Sequence, residues 1–193
     1  MRVLRSVARL RRLASLLAGA LTLALGLAAC GDKVSHPTVA DNEGVYVDAG
    51  AVSYQVQVSR QLNPYNSEDR QYLNGVDSPP PKPDQEWFAV FLYAKNETHS
   101  NQTTTDSFDI TDTQGNQYFP VAVNPSVNPY AWTAQTLQPL GTEPAPDTTA
   151  AFGPTQGALL LFKLDVSVYS SRPLTLEINS SDQAQPAVVS LDL

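Results

Sequence analysis

Cys30 is the residue whose chemistry is easiest to specify from its type and its neighbours. It is the only cysteine among 193 residues, so no disulfide can form within the chain. A thiol becomes a strong nucleophile when it ionises to the thiolate. Leu27, Ala28 and Ala29 directly precede it, and small side chains at such positions suit the narrow pocket of a signal peptidase. These residue types mark Cys30 as a candidate nucleophile beside a candidate cleavage site.

The segment before Cys30 has two zones of opposite character. Residues 1–12 contain five arginines and no acidic residue, and residues 13–29 form a run of 17 without any charge. A basic flank followed by an apolar run is typical of an export signal, because the basic end stays in the cytoplasm. The run is at the lower limit of what a membrane-spanning helix needs.

Residues 27–30 resemble the lipobox of bacterial lipoproteins at all four positions. The resemblance implies that residues 1–29 are a signal peptide, that Cys30 receives a diacylglycerol, and that the protein is held at the extracytoplasmic face of the cell membrane. Each buried CH₂ group contributes about 0.8 kcal/mol, so two acyl chains suffice for stable anchoring. The alternatives are an ordinary secretory peptide followed by a free cysteine, and an uncleaved anchor.

Loss of residues 1–29 would leave a strongly acidic chain. All 19 acidic residues lie beyond Cys30, whereas five of the 12 basic residues lie before it, so the remaining formal net charge is −12. Such a charge repels nucleic acid and anionic lipid headgroups. We therefore expect no nucleic-acid partner. We expect the protein to be attached to the membrane by the lipid on Cys30 and not by a basic patch.

Groups for acid–base catalysis are scarce. The two histidines, His36 and His99, lie in polar stretches, and no G-x-S-x-G or H-E-x-x-H motif is present. Copper carriage would require methionine ligands, and the only methionine is the first residue. Hydrolysis by carboxylates alone needs a placed pair of acids, which nothing in the sequence marks. We predict a protein that is not an enzyme and has no cofactor, with a carboxylate-dependent hydrolase as the third alternative.

Asp106, Asp109 and Asp112 form a candidate calcium site, because calcium takes six to eight oxygen ligands. Their spacing is not that of an EF-hand loop. On a strand, Asp109 would point away from the core, and aspartate often caps turns. We expect solvated carboxylates beside a turn, and a calcium site remains the alternative.

Three aromatic residues are candidate partner-binding groups. Tyr65 lies in the long connection 63–84, and Tyr130 and Trp132 lie in the long connection 124–156. Connections of this length usually either function or are disordered, and rigid aromatic groups on loops are typical binding hot spots. In the alternative interpretation, Tyr130 and Trp132 fold back and cover an end of the domain.

Period-two alternation dominates from Val45 onward and predicts β-strands. Val52, Tyr54, Val56 and Val58 alternate with polar residues, while residues 87–94 are apolar on both faces and predict a central strand. Further strands are predicted at residues 108–110, 117–123, 158–168, 174–178 and 189–193. No helix is predicted beyond the leader. About seven such strands predict an all-β fold, an antiparallel two-sheet sandwich.

The same pattern sets the predicted boundaries. Residues 31–44 have no sustained apolar period, so the lipidated Cys30 and a flexible tether are predicted to occupy residues 30–44. Residues 45–193 are predicted to form one sandwich domain. The 164 residues from Cys30 onward are long enough for one core without disulfides.

The strand pattern resembles small immunoglobulin-like domains of bacterial lipoproteins, a family of unknown function akin to telomeric-repeat-factor-like extracellular domains. The resemblance rests on Trp87–Val90 leading to Lys95-Asn96, on Phe108–Asp112 with Gly115-Asn116 and Tyr118, and on Gly157 before Leu159–Phe162. Longer connections before Trp87 and before Gly157 depart from it. The resemblance implies an immunoglobulin-like fold outside the cytoplasm and supplies no catalytic residues.

Together these features predict a lipid-anchored envelope lipoprotein. Its immunoglobulin-like domain is expected to serve as a protein-binding or structural module, with an envelope protein or a glycan as partner. A calcium- or carbohydrate-binding accessory module is the alternative function.

Overall fold

Twelve β-strands and three short helical segments make up the part of the chain that the computed structural model describes, residues 33–191. The predictions for Cys30 and for residues 27–29 lie outside the described residues. The strands are β1 (Val39–Ala40), β2 (Tyr46–Ala49), β3 (Val52–Leu62), β4 (Gln85–Lys95), β5 (Gln102–Thr103), β6 (Phe108–Thr111), β7 (Gln117–Tyr118), β8 (Thr136–Leu137), β9 (Thr142–Glu143), β10 (Ala158–Asp165), β11 (Leu174–Ile178) and β12 (Ala187–Leu191). The helical segments are α1 (Ser67–Tyr72), α2 (Thr149–Phe152) and a 3₁₀ helix (Val166–Ser170).

The main strands form two sheets. The first sheet has the order β10-β4-β3-β2, with β9 paired to the end of β4, and the second has the order β1-β12-β11-β6-β7. Strands β5 and β8 pair separately. Every strand pairing is antiparallel except that of β1 with β12. The pair β4–β10 and the trio β6–β11–β12 correspond to the B–E and C–F–G neighbours of an immunoglobulin sandwich. The predicted immunoglobulin-like sandwich is thus confirmed.

Strand β4 is buried on both faces. Phe88, Val90 and Leu92 point into the core between the sheets, where they meet residues such as Ile110 and Leu176 of the second sheet. The alternate residues of β4, including Trp87 and Phe91, belong to a second apolar cluster on the outer face of the first sheet. This double burial explains the continuous apolar run in the sequence.

The two long connections form a third layer over that outer face. Tyr72 at the end of α1 is fully buried against Phe91, and the almost fully buried Tyr130 of the second connection packs against Tyr72. The second connection and the residues just before it also cover the open edge of β10, because the backbone N–H groups of Trp132 and Val121 donate to carbonyls of that strand. Both connections are therefore long because they cover the apolar outer face and the open edge of the first sheet.

Strand β3 carries a bulge that changes the predicted alternation. Val52, Tyr54 and Val56 are buried between the sheets, as predicted. The register shifts between Val56 and Val58, so Val58 packs against the outer cluster instead. One extra residue in a strand moves every later side chain to the opposite face.

The body of the domain begins before the predicted boundary at residue 45. Val39 and Ala40 pair with Val188 and Val189 of β12, and Ala40 is buried in the core. The His36 backbone N–H donates to Asp48 Oδ2 at 2.9 Å. Within residues 33–44, the prediction of a flexible tether is therefore wrong from His36 onward. Part of this segment pairs with the open edge of β12, and the strand it forms is too short to show an alternation of apolar and polar side chains.

Smaller differences concern helices. The predicted continuation of β10 through Val166 and Val168 is wrong, because these residues begin a 3₁₀ helix that buries Val168. Helix α1 was not predicted; its six residues start after Asn66, whose side-chain oxygen accepts from the Glu68 N–H. Among residues 33–191, no helix combines the length and the apolar character needed to cross a membrane.

Candidate functional site

A groove of about 610 Å³ lies where the first long connection meets the start of β4. We call it the aromatic groove. It is lined mainly by apolar and proline side chains, with Tyr65 on one side and Trp87 at the start of β4; Leu62, Leu73, Val76, Pro64, Pro80, Pro81 and Pro83 complete its apolar wall. Largely apolar concave sites with a few polar groups are typical of ligand and peptide binding.

Tyr65 is presented to solvent by a rigid turn. Its side chain is 92% exposed, the highest value among the large apolar residues of the described chain. The turn is held because Asn63 Oδ1 accepts from the Tyr65 N–H at 2.9 Å and the Asn63 N–H donates to Asp69 at 2.8 Å. Asp69 in turn pairs with Arg60 of β3 at 2.7 Å. The backbone that carries Tyr65 is thus fixed to the sheet.

The pKa of Asp69 agrees with this structural role. Burial alone would raise that pKa, but the hydrogen bonds from Arg60 and from the Asn63 N–H outweigh burial and hold the pKa below its usual range. Asp69 therefore stays ionised as a turn-fixing group and is not available as a general acid near neutral pH.

Trp87 is held by Lys163, its register partner on β10. The Lys163 ammonium lies 5.1 Å from the centre of the Trp87 ring, in cation–π geometry. The same ammonium donates to Ser78 Oγ at 2.8 Å and to the Pro79 carbonyl at 2.7 Å. One lysine thus fixes both the tryptophan and the start of the proline-rich segment, so the groove is largely pre-formed.

Glu86 is the only carboxylate among the residues that line the groove. Burial raises its pKa, and the hydrogen bond that Tyr169 donates at 2.9 Å partly offsets this effect. Burial and the bond to Glu86 raise the pKa of Tyr169 to about 12. Carboxylate-dependent hydrolysis requires two acids at a set separation, and this lining provides one. The geometry suits binding better than catalysis.

The structure separates the three predicted aromatic residues. Tyr65 lines the aromatic groove, but Tyr130 is only 4% exposed and Trp132 packs against Tyr54 and Phe108. The Trp132 indole N–H donates to the Thr105 carbonyl at 3.0 Å. Tyr130 is thus buried and Trp132 partly buried, and neither lines the aromatic groove, so their partner-binding role stays a prediction. The alternative, in which they fold back onto the domain, agrees with the geometry.

The three predicted aspartates do not converge on one point. Asp112 accepts from the backbone N–H groups of Gln114 and Asn116, both at 2.9 Å, and so caps the turn between β6 and β7. Asp109 and Asp112 are both buried, contrary to the expectation that they are solvated, and Asp109 lies beside Asn179, whereas Asp106 is exposed. In the part of the chain that the structure covers, no three His, Cys, Asp or Glu side chains are grouped to hold a metal ion.

Sequence reasoning did not assign Trp87, Lys163 or the proline wall to a site. Trp87 was interpreted only as part of a central strand, and Lys163 as part of an apolar strand. The signal that could have located the groove is the Ser78–Pro83 run directly before β4, because proline-rich segments favour an extended conformation and occur in recognition motifs.

These features define an all-β, immunoglobulin-like sandwich that carries an extra layer and a pre-formed aromatic groove. No family model matches the chain, and no curated protein matches it in sequence.

Solved structures resemble the chain in fold. The yjhA protein of Bacillus subtilis has a TM-score of 0.52 at 15% identity, and the alignment covers 79% of this chain and 99% of that one. A candidate lipoprotein of Bacillus subtilis, ycdA, has a TM-score of 0.44 at 11% identity, covering 77% of this chain and 38% of that one. An uncharacterized β-sandwich protein of Clostridium difficile has a TM-score of 0.42 at 10% identity, covering 83% and 97%. At such identities, the likeness to yjhA concerns the fold alone.

Proposed function

We propose that this protein is a lipoprotein anchored through Cys30 at the extracytoplasmic face of the membrane, and that its sandwich domain binds an extended segment of an envelope protein in the aromatic groove. The anchor is supported by the four lipobox positions and by the basic and apolar zones before them. The observation that carries the binding function is the groove itself, which is lined by the exposed Tyr65, by several prolines and by Trp87, whose ring is held by Lys163.

An extended peptide suits this groove better than a folded surface. The groove is formed by an extended proline-rich segment, and apolar side chains at alternate positions of a bound peptide could enter it while the Tyr65 ring packs along the chain. A pre-formed site loses little conformational entropy when it binds. Lys163 and Asp69 would supply this pre-organisation without contacting the partner.

The binding function is tested by site-specific photocrosslinking in whole cells. A photoreactive residue at position 65 is expected to capture one discrete partner, and the same residue at Phe119 is the matched control. Phe119 is also an exposed aromatic, at 64%, and does not line the groove. Tyr65→Ala is expected to abolish capture by a probe at the neighbouring Pro64 without changing the melting temperature. Equal adducts from positions 65 and 119 would refute the function.

The anchor is tested by Cys30→Ser. Only residues 31–35 separate Cys30 from His36, which is hydrogen-bonded to the body, and such a segment spans at most about 22 Å. Wild-type protein is expected in the membrane fraction with a lipidated amino-terminal Cys30, and the variant is expected in the soluble extracytoplasmic fraction. Membrane retention of the variant, or an unmodified Cys30 by mass spectrometry, would contradict the anchor.

A glycan is a second candidate ligand, supported by a different surface. Tyr46 and Tyr93 lie 6.4 Å apart on the outer face of the first sheet, and with Gln55 and Gln57 they line a depression of about 200 Å³. Aromatic rings beside amide groups can contact the apolar and hydroxyl faces of a sugar. Envelope glycan binding that is lost in Tyr93→Ala and kept in Tyr65→Ala would favour this function, and the opposite result would exclude it.

A further inference from the structure

A second pocket, of about 270 Å³, lies within the long connection 124–156 and is separate from the aromatic groove. Prolines 125, 129 and 144 form much of its wall, and Thr148 contributes a hydroxyl group. Glu143 of β9 is the only ionisable side chain among its lining residues. The pocket therefore combines proline and alanine side chains with neutral polar groups and a single acidic group.

Glu143 is buried, with only 8% of its surface exposed. Strand β9 fixes its position, because Glu143 is the register partner of Ala94 on β4. The Gln135 side-chain amide donates to one carboxylate oxygen. Among residues 33–191 no cationic side chain pairs with Glu143, and Lys95 of β4 has its ammonium on Glu97 at 2.9 Å. A neutral amide is thus the partner of a buried acid.

This arrangement is costly for the ionised carboxylate. Burial raises the pKa of Glu143 to about 7. A buried carboxylate gains most from a cation that can enter and pair with it, because the pair then forms in a medium of low dielectric constant. The strongly acidic chain would also attract cations toward the pocket.

We propose that this pocket binds an organic cation, an alkyl chain that ends in an ammonium or guanidinium group, with Glu143 as its counter-ion. The prolines would pack against the alkyl part, and the cation would supply the positive charge that the neutral Gln135 amide does not. The volume lies just below the roughly 300–1,000 Å³ of sites for drug-sized molecules, which fits a small headgroup. A lysine or arginine side chain of a partner and a free amine share this chemistry.

The test is titration of the full mature chain with n-butylammonium and n-butylguanidinium, followed by NMR, with n-butanol as the neutral control. We expect saturable shifts at residues 143–145 with at least one cation and none with butanol. Glu143→Gln is expected to weaken binding at least tenfold. Asp147→Asn is the matched control, because it removes one acid from an exposed position of the same connection and is expected to bind as the wild type does.

The carboxyl carbon signal of Glu143 in the wild type gives a readout that does not depend on any variant. Its titration midpoint is expected to fall when the cation is added, since a bound cation favours the ionised form. An unchanged midpoint, absence of saturable shifts, or equal binding by Glu143→Gln would overturn the proposal. An N-acetyl-lysine amide that binds at least as well as butylammonium would indicate a protein side chain as the source, and weaker binding would indicate a free amine. Tyr65→Ala should leave all of these results unchanged, so the outcome is independent of the aromatic groove.

Discussion

Asn128 is the residue that ties the two long connections together, and its replacement offers a direct test of the third layer. The side chain is 1% exposed. Its amide donates to the carbonyls of Tyr72 and Asn74, at 2.9 and 3.0 Å, and its oxygen accepts from the Tyr130 N–H at 3.0 Å. Asn128→Ala removes all three hydrogen bonds and leaves their partners without a replacement.

The expected loss follows from these three bonds. Each net hydrogen bond contributes about 1 kcal/mol, so the variant should lose about 3 kcal/mol of unfolding free energy. For a domain of this size that corresponds to a fall in melting temperature of about 6–12 °C. Differential scanning calorimetry measures this fall, and the near-ultraviolet circular dichroism spectrum should show whether Tyr72 and Tyr130 keep their fixed environment below the transition.

Asn124→Ala is the matched control. The Asn124 side chain is exposed and makes one local hydrogen bond, from the Ser126 N–H at 2.9 Å, so its loss should cost about 1 kcal/mol or less. Asn128→Asp keeps the acceptor and places a charge against two carbonyls, so it should be at least as destabilising as Asn128→Ala at pH 7. If Asn128→Ala melts within 2 °C of Asn124→Ala, roughly 1 kcal/mol at most, the reasoning about the third layer is refuted.

Three further features of the structure can be probed by thermal melting. Gly157→Ala should be strongly destabilising, because a Cβ there would lie 2.9 Å from the Phe91 backbone, whereas Gly115→Ala, also at positive φ but with open space, should cost much less; equal losses would contradict the close packing. Tyr72→Phe should leave the melting temperature unchanged or raise it, because within residues 33–191 the buried Tyr72 hydroxyl has no hydrogen-bond partner, and a clear fall would indicate an unseen one. The pKa of the Glu143 carboxyl group is raised from its ordinary value of 4.5 to about 7 in the folded protein. Between these two pH values the carboxyl group is protonated in the folded state and ionised in the unfolded state, so the wild type should lose stability as the pH rises through this range. Glu143→Gln should therefore melt higher relative to the wild type at pH 8 than at pH 5, and no change between the two would oppose the assignment.

The regular strands could be predicted because their side chains alternate or are continuously apolar. Residues 174–178 were predicted with the bounds that the structure has, and the strand predicted from residue 158 starts there but ends at Asp165. The bulge after Val56 could not be predicted, because an inserted residue shows no signal until the partner strand is known. Strand β1 was missed for a related reason: two residues that complete an edge have no period of their own, and only the partner defines them.

The candidate site was partly predictable. Tyr65 could be identified as exposed because it lies among polar and turn-forming residues. Tyr130 looks the same in sequence, yet it is buried against Tyr72 at a ring distance of 4.8 Å. The difference arises because the outer face of the first sheet is apolar and must be shielded from water. The sequence pattern does not indicate which segment packs over this face. Glu143 was missed because its unusual environment comes entirely from tertiary burial.

The parallel pairing of β1 with β12 also bears on how the protein folds. Val39 meets Val188, so this pair joins two segments that lie far apart in the sequence. Contacts between such distant positions slow folding. The second sheet is therefore complete only after these two segments have met.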